Sequence, residues 1–301
     1  MGAHAMADIQ HNESTLKTEL EIGRRNTPDF AWPTVVLAIS LLSGFALVCF
    51  LAVSDVIPLA VAMLLNTAFI YAFYTVVHEA VHSNISSRKR HLRWVDSVLG
   101  TACCFPLWLF MDHHRKQHMV HHAKANEDDD PDIYARGGFA GWIFVRLPKA
   151  LINYFNPFQL YAECRKFGLT RAETRNVFIT FALNTAVVVG LVLAGYAYEL
   201  LVLWFLPWWL GQTIMLTLFT WTPHHDHTET GRYRDTRISL WPGANVLLLG
   251  QNYHLIHHMM PGVPYYRYKP TFEELRPILE AKGARIEGFW PKSSAKAQAV
   301  A

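Results

Sequence analysis

Charge is scarce in this chain. Asp, Glu, Lys and Arg make up only 17% of its 301 residues, against roughly 25% in ordinary soluble domains, while 51% are hydrophobic. The deficit is regional: residues 31–77 and 176–231 contain no Lys or Arg at all. Cysteine is scarce as well. Cys49, Cys103, Cys104 and Cys164 form no C-x-x-C pair, which excludes a disulfide framework and a thiolate metal site, so all four are expected reduced and mostly buried. The first thirty residues carry no apolar core of the signal-peptide kind, so membrane insertion must come from internal segments. A net charge of only +3 gives no sign of a nucleic-acid partner.

What the chain does have is apolar length. Residues 33–53, 57–77, 177–198 and 200–221 are each long enough to span about 30 Å of hydrocarbon. The links around Asp55 and Glu199 are very short, so the runs pair into two transmembrane hairpins. All 27 basic residues lie in the N-terminal stretch, in 78–175 or in 232–301, which the positive-inside rule assigns to the cytoplasm together with both termini. The expected fold is therefore all-α and integral to the membrane: four spans as two hairpins, with a cytoplasmic helical cap. Residues 1–30 form an N-terminal tail, 31–285 the membrane domain and 286–301 a flexible tail, disordered after Pro291. Residues 97–111 are too short to cross and are broken by Pro106, which suggests a re-entrant or interfacial segment. Residues 139–160 read as an interfacial amphipathic stretch, and 271–282 as a short helix capped by Thr271 with Glu274 three positions on.

Histidine supplies the chemistry. His78 and His82 (HEAVH) lie four apart at the end of the second run. His118, His121 and His122 (HMVHH) repeat the spacing of His254, His257 and His258 (HLIHH). Positions i, i+3 and i+4 share one helical face, so each cluster can aim its imidazoles at one point. A lone pair of this kind is more often chance than a ligand set, but two copies beside a third cluster on one side of the membrane are not. Eight imidazoles exceed the four that one zinc takes and suit two metal ions. Imidazole itself does not choose among Zn, Cu, Fe and Ni. A bis-histidine haem would place its ligands inside facing spans, and a transporter would carry ionisable residues there. Neither pattern is present, although a non-catalytic metal-binding or transport protein remains a distant alternative. Two irons that activate O₂ against an unactivated C–H bond of a lipophilic substrate are the most economical reading.

The three clusters resemble the histidine boxes of the membrane fatty acid desaturase and hydroxylase superfamily, over residues 35–285. That resemblance implies a four-span fold, a di-iron centre and a further ligand between the last span and the third box. Here that region reads WTPHHDHTE, and position favours His225, then His224, with His227 as a surface residue. It also implies that Asn252, just before the third box, holds a water or orients a histidine, and that Asp132 in the acidic run EDDDPD, or a neighbour, accepts the second N–H of a ligand histidine. Most such acidic runs are merely solvated loops. Within the superfamily the stretch GQNYHLIHHMMPGVPYYRYKP and Pro223-His224-His225 are most similar to the plant and cyanobacterial β-carotene hydroxylases, which implies ring hydroxylation. Glu79 stands where that branch suggests Asp. An acyl-lipid desaturase is the alternative, because the boxes are shared. His113 and His114 are assigned structural roles, and His4, His11 and His91 the surface. No HPGG, ferredoxin-type cysteine spacing or GxGxxG occurs, so the electrons must come from a separate protein, a ferredoxin-like or other electron-transfer protein. Arg88, Lys89, Arg90 and Arg93 could dock it, although their side of the membrane already accounts for them.

Overall fold

The computed structural model describes residues 3–293, with side chains from Glu13 onward. The structure is mostly helical, and four helices are long and apolar enough to cross a membrane. Helix α1 (Ala3–Asn26) precedes them; the four are α2 (Trp32–Val53), α3 (Leu59–Val81) and, later in the chain, two more. Burial along α3 changes character with depth. Its first part buries Ala62, Asn66, Ile70 and Phe73, about one residue per turn, whereas every residue from Thr75 to Val81 is buried. The helix therefore runs out of a half-exposed setting into the interior, carrying His78 with it.

Next come α4 (Arg93–Leu107) and α5 (Met111–Lys124), which meet at 94° across a three-residue break. Trp108 sits in that break with φ 55°, and its backbone N–H closes the last turn of α4 on Phe105. A helix end inside an apolar layer leaves carbonyls that water cannot reach. Here indole and amide side chains take them: Trp204 Nε1 donates to Pro106 O (2.9 Å), and Trp208 Nε1 (2.8 Å) and Gln212 Nε2 (3.0 Å) both donate to Leu107 O. This bent pair occupies the 97–111 region expected to be re-entrant.

Short helices α6 (Leu147–Asn153) and α7 (Pro157–Lys166) follow, with Phe144, Ile152 and Phe158 exposed. Helix α8 runs Arg171–Leu193 and α9 Ala197–His224. The expected third span, 177–198, thus begins six residues early. Thr170 accepts from Glu173 N while Glu173 Oε2 accepts from Thr170 N, a capping box that starts the helix in polar sequence. Helix α9 packs against α3 at Gly211, where an added Cβ would lie 2.6 Å from Ile70 Cγ2, and Asn66 Nδ2 donates to Leu203 O (2.7 Å) nearby.

The last part holds β1 (Arg237–Ser239), α10 (His254–Met259), α11 (Tyr268–Ala281) and β2 (Arg285–Glu287). Strands β1 and β2 pair in parallel, Ile238 opposite Ile286, and the buried Arg237 reaches Glu287 at 2.9 Å. Ordered structure therefore runs past residue 285, where the flexible tail was expected to begin; the rest of that expectation, 294–301, lies outside the described residues. Helix α11 starts at Tyr268 rather than Thr271, whose hydroxyl donates back to Arg267 O instead of capping. Glu274 is drawn to α1, where it pairs with Arg25 and accepts from Asn26 Nδ2 at 3.0 Å. Glu19 on α1 is fully buried against Arg232 and Tyr233, so the N-terminal stretch is a docked helix rather than a loose tail.

Candidate metal centre

Four separate pieces of chain deliver the histidines. His78 comes from the buried end of α3 and His82 from its C-cap. Helix α5 brings His118, His121 and His122, the end of α9 brings His224, and α10 brings His254, His257 and His258. Gly250 sets the last group: it has φ 79°, and a Cβ there would lie 2.6 Å from Tyr265 O, so only glycine lets the chain turn this closely before α10.

The imidazoles converge as two groups. His78, His82, His118 and His257 form one; His121, His224, His254 and His258 form the other, and within each group the four ligand atoms lie within 4.8 Å of one another. His122 lies at the seam, its Nε2 3.1 Å from His118 Nε2 and 2.8 Å from His257 Nε2, its ring centroid 4.4 Å from that of His258. Ring nitrogens also approach at 3.0 Å between His78 and His257 and at 3.2 Å between His224 and His254. Nitrogens this close must have a proton or a metal cation between them. Nitrogens about 2.1 Å from a common metal lie about 3 to 4 Å apart, the spacing found here. His82 Nε2 and His258 Nε2 are buried without a hydrogen-bond partner among the described residues, as ligand atoms would be. The donor set therefore fits a pair of ions.

Burial pushes His118, His254, His257 and His258 well below their ordinary pKa, and their neighbouring imidazoles add to it. His122 falls to about 2 for the same reasons. His121 is the exception: burial would lower it, but Asp132 and Asp130 beside it hold it above its ordinary value. Neutral imidazole is the form that binds metal.

Behind the ligands stands a row of acceptors. His121 Nδ1 donates to Asp130 Oδ1 at 2.8 Å, with Asp132 Oδ2 at 3.8 Å. His258 Nδ1 donates to Asp235 Oδ2 (3.3 Å) and His254 Nδ1 to Gln251 Oε1 (3.3 Å). His257 Nδ1 meets Tyr268 Oη at 3.0 Å. Of the expected pair, Asp132 is thus displaced to the longer contact by its neighbour Asp130. Asn252 is buried and its Nδ2 donates to Ser239 O at 3.2 Å, while its Oδ1 has no hydrogen-bond partner among the described residues; Gln251 beside it reaches a box histidine.

His225 is also corrected. It lies outside both groups, with Nε2 2.7 Å from Asp226 Oδ1 and its ring against Trp221, because α9 ends at His224 and the chain turns away there. His224, the second choice, takes the place. His227, expected at the surface, is fully buried and stacked on His224. His113 pairs with Glu163 (3.1 Å), His114 packs on Tyr74 and His118, and His91 is exposed; the His4 and His11 side chains lie outside the described residues. Gln251 and Tyr268 lie in the GQNYHLIHHMMPGVPYYRYKP stretch, but the sequence assigns them no role there, and Asp235 has no motif signal; the fold shows all three beside box histidines.

Two cavities lie elsewhere in the molecule, neither lined by a histidine of the two groups. One of about 450 Å³ opens beside α5 at His113 and Gln117, with Arg146 and Lys149 at its rim. The other, about 380 Å³ and apolar, lies between Phe45, Phe105, Val188 and Leu203. Trp108 lines both.

The family model for fatty acid desaturases matches residues 54–290. An omega-6 fatty acid desaturase, chloroplastic, of Glycine max is 25% identical over 280 residues, covering 82% of this chain and 62% of that protein. A beta-carotene ketolase of Paracoccus sp. is 26% identical over 222 residues, 71% of this chain and 79% of that one. An sn-2 acyl-lipid omega-3 desaturase (ferredoxin), chloroplastic, of Arabidopsis thaliana is 24% identical over 240 residues, 69% of this chain and 53% of that one. This chain thus spans only 62% of the length of the Glycine max protein. With the family match covering most of the chain and its histidines gathered as described, the protein belongs to the fatty acid desaturase family, within the membrane desaturase and hydroxylase superfamily of oxidoreductases.

Proposed function

We propose that this protein is a membrane di-iron oxygenase that attacks a C–H bond of a lipophilic substrate, with the β-ring of β-carotene as its first assignment and hydroxylation as the outcome. The observation that carries the di-iron reading is the convergence of nine histidines into two adjoining groups. Two irons held there would supply dioxygen activation and hydrogen abstraction. The protein's own part is to keep the imidazoles other than His121 neutral, aim them through the acceptors behind them, and bury the centre from water. The charge asymmetry supports two hairpins with the centre and both termini on the cytoplasmic side. The electrons come from a separate carrier, for which the ferredoxin named with the Arabidopsis thaliana relative is the first model.

The carotenoid assignment rests on the GQNYHLIHH and PYYRY segments and draws support from the ketolase relative. Acyl-lipid desaturation is the second reading, favoured by the desaturase relatives. Expression in a bacterium that accumulates β-carotene, with pigments and fatty acids analysed side by side, separates them. Hydroxylated pigment that disappears in His257→Ala is the expected result. New acyl double bonds with β-carotene untouched would establish the second reading instead.

A further inference from the structure

The two histidine groups differ less in their ligands than in what stands behind them. Of the group formed by His121, His224, His254 and His258, three members donate Nδ1–H to an acceptor, and two of those acceptors are carboxylates, Asp130 and Asp235. Asp130 is held by backbone donors, and Asp235 is largely buried. Asp130 accepts from the backbone N–H of Asn126 (2.7 Å) and of Asp132 (2.9 Å), and its side chain is fully buried; only 14% of the Asp235 side chain is exposed. In the other group His257 meets only the neutral Tyr268 hydroxyl, and His78 Nδ1 is buried without a hydrogen-bond partner among the described residues. His122 adds a fifth imidazole on that side, but no charge.

A carboxylate that accepts the far N–H of a ligand imidazole raises its basicity and lowers the cost of placing a dication in a buried site. Two such carboxylates behind one group outweigh one additional neutral ligand in the other. From this asymmetry, and resting on the two-metal reading above, we propose that the group backed by Asp130 and Asp235 binds its ion first and more tightly, while the group backed by Tyr268 loads second and releases first. Tyr268 is then a positioning residue for the labile site. It is completely buried, and Gly250 lies against its ring, so it holds His257 without touching a ligand atom that faces the ion.

The test uses the full-length protein in lipid nanodiscs, stripped of metal and reloaded anaerobically with Co(II). Binding is followed by visible absorption and elemental analysis, and release by a chelator challenge. The expected result is two ions per chain and two release phases. Asp130→Asn and, separately, Asp235→Asn should accelerate the slow phase about 10- to 100-fold and leave the fast phase unchanged. Tyr268→Phe should accelerate only the fast phase, with the thermal midpoint of the metal-free protein unmoved; Tyr266→Phe should alter neither phase. Two ions released in a single phase by the wild type would overturn the inference and leave the two-metal reading intact. Acceleration of the fast phase by both carboxylate variants would overturn it equally. Saturation at one ion or fewer would defeat the two-metal reading itself.

Discussion

The two histidine groups are built from the same residue type and share α5 and α10, yet their surroundings diverge. One is set among His78, His82 and the end of α3, where Val76, Val77, Ala80 and Val81 are all buried and the buried carboxyl there, Glu79, accepts from Tyr265 N and Asn84 rather than from a ligand histidine. The other faces the loop of Asn126, Asp130 and Asp132 and the segment around Asp235, which is rich in polar groups. Ligand identity can thus be repeated while basicity is set independently by the loops behind. A histidine box specifies where the nitrogens go, and the second loop after it specifies how strongly they give.

The largest expected effect tests membership of the second group. His224→Ala should reduce metal retention by more than about 100-fold, beyond the effect of losing an outer partner. His225→Ala should stay within about twofold of the wild type. Elemental analysis after gel filtration distinguishes them, and equal loss in both would dissolve the grouping.

Acid should expose the difference next. His118, His122, His254, His257 and His258 have folded pKa values below the ordinary 6.5, so the unfolded chain takes up their protons more readily. Their contribution to stability is intact above about pH 6.5 and is lost as pH falls toward the folded values. His121 has the opposite sign: its folded pKa is raised, so its share is present below about 6.5 and fades as pH rises through the folded value. Thermal unfolding of the metal-free protein between pH 8 and 5 should show a steady loss of stability, steeper in Asp130→Asn because the opposing histidine is weakened. A stability that rises on acidification would contradict the neutral cage.

The smallest effect separates two neighbours. Gln251→Ala should weaken metal retention about 3- to 10-fold by freeing His254 Nδ1, while Asn252→Ala should leave retention unchanged and cost about 1 kcal/mol of stability. Denaturant unfolding together with chelator release measures both.

Much of this was legible in the residues. Apolar length located all four long helices, and the i, i+3, i+4 spacing named eight of the nine converging histidines. The ninth was misjudged by one position, since two adjacent histidines at a helix end differ only by where the last turn stops. Span limits slipped for a similar reason: α8 starts at Arg171 through a capping box that a hydropathy window does not see. Asp235 and Tyr268 were beyond reach because they lie 23 and 11 residues from their histidines, joined by tertiary packing rather than by any period. The polar residues of the spans are given no role by the sequence. Asn66, Asn184 and Gln212 are few, but each donates to a backbone carbonyl of a neighbouring segment.

The carbonyls at the end of α4 carry a consequence for biogenesis. Residues 105–107 leave the ribosome about a hundred residues before Trp204, Trp208 and Gln212, the side chains that satisfy Pro106 and Leu107. Until that last span enters the bilayer, the bend that aims the second histidine box has no partners in hydrocarbon. The order of synthesis therefore leaves the bend incomplete until residue 212 has been made, so a chain released before that point lacks the donors that hold the end of α4 beside the second box.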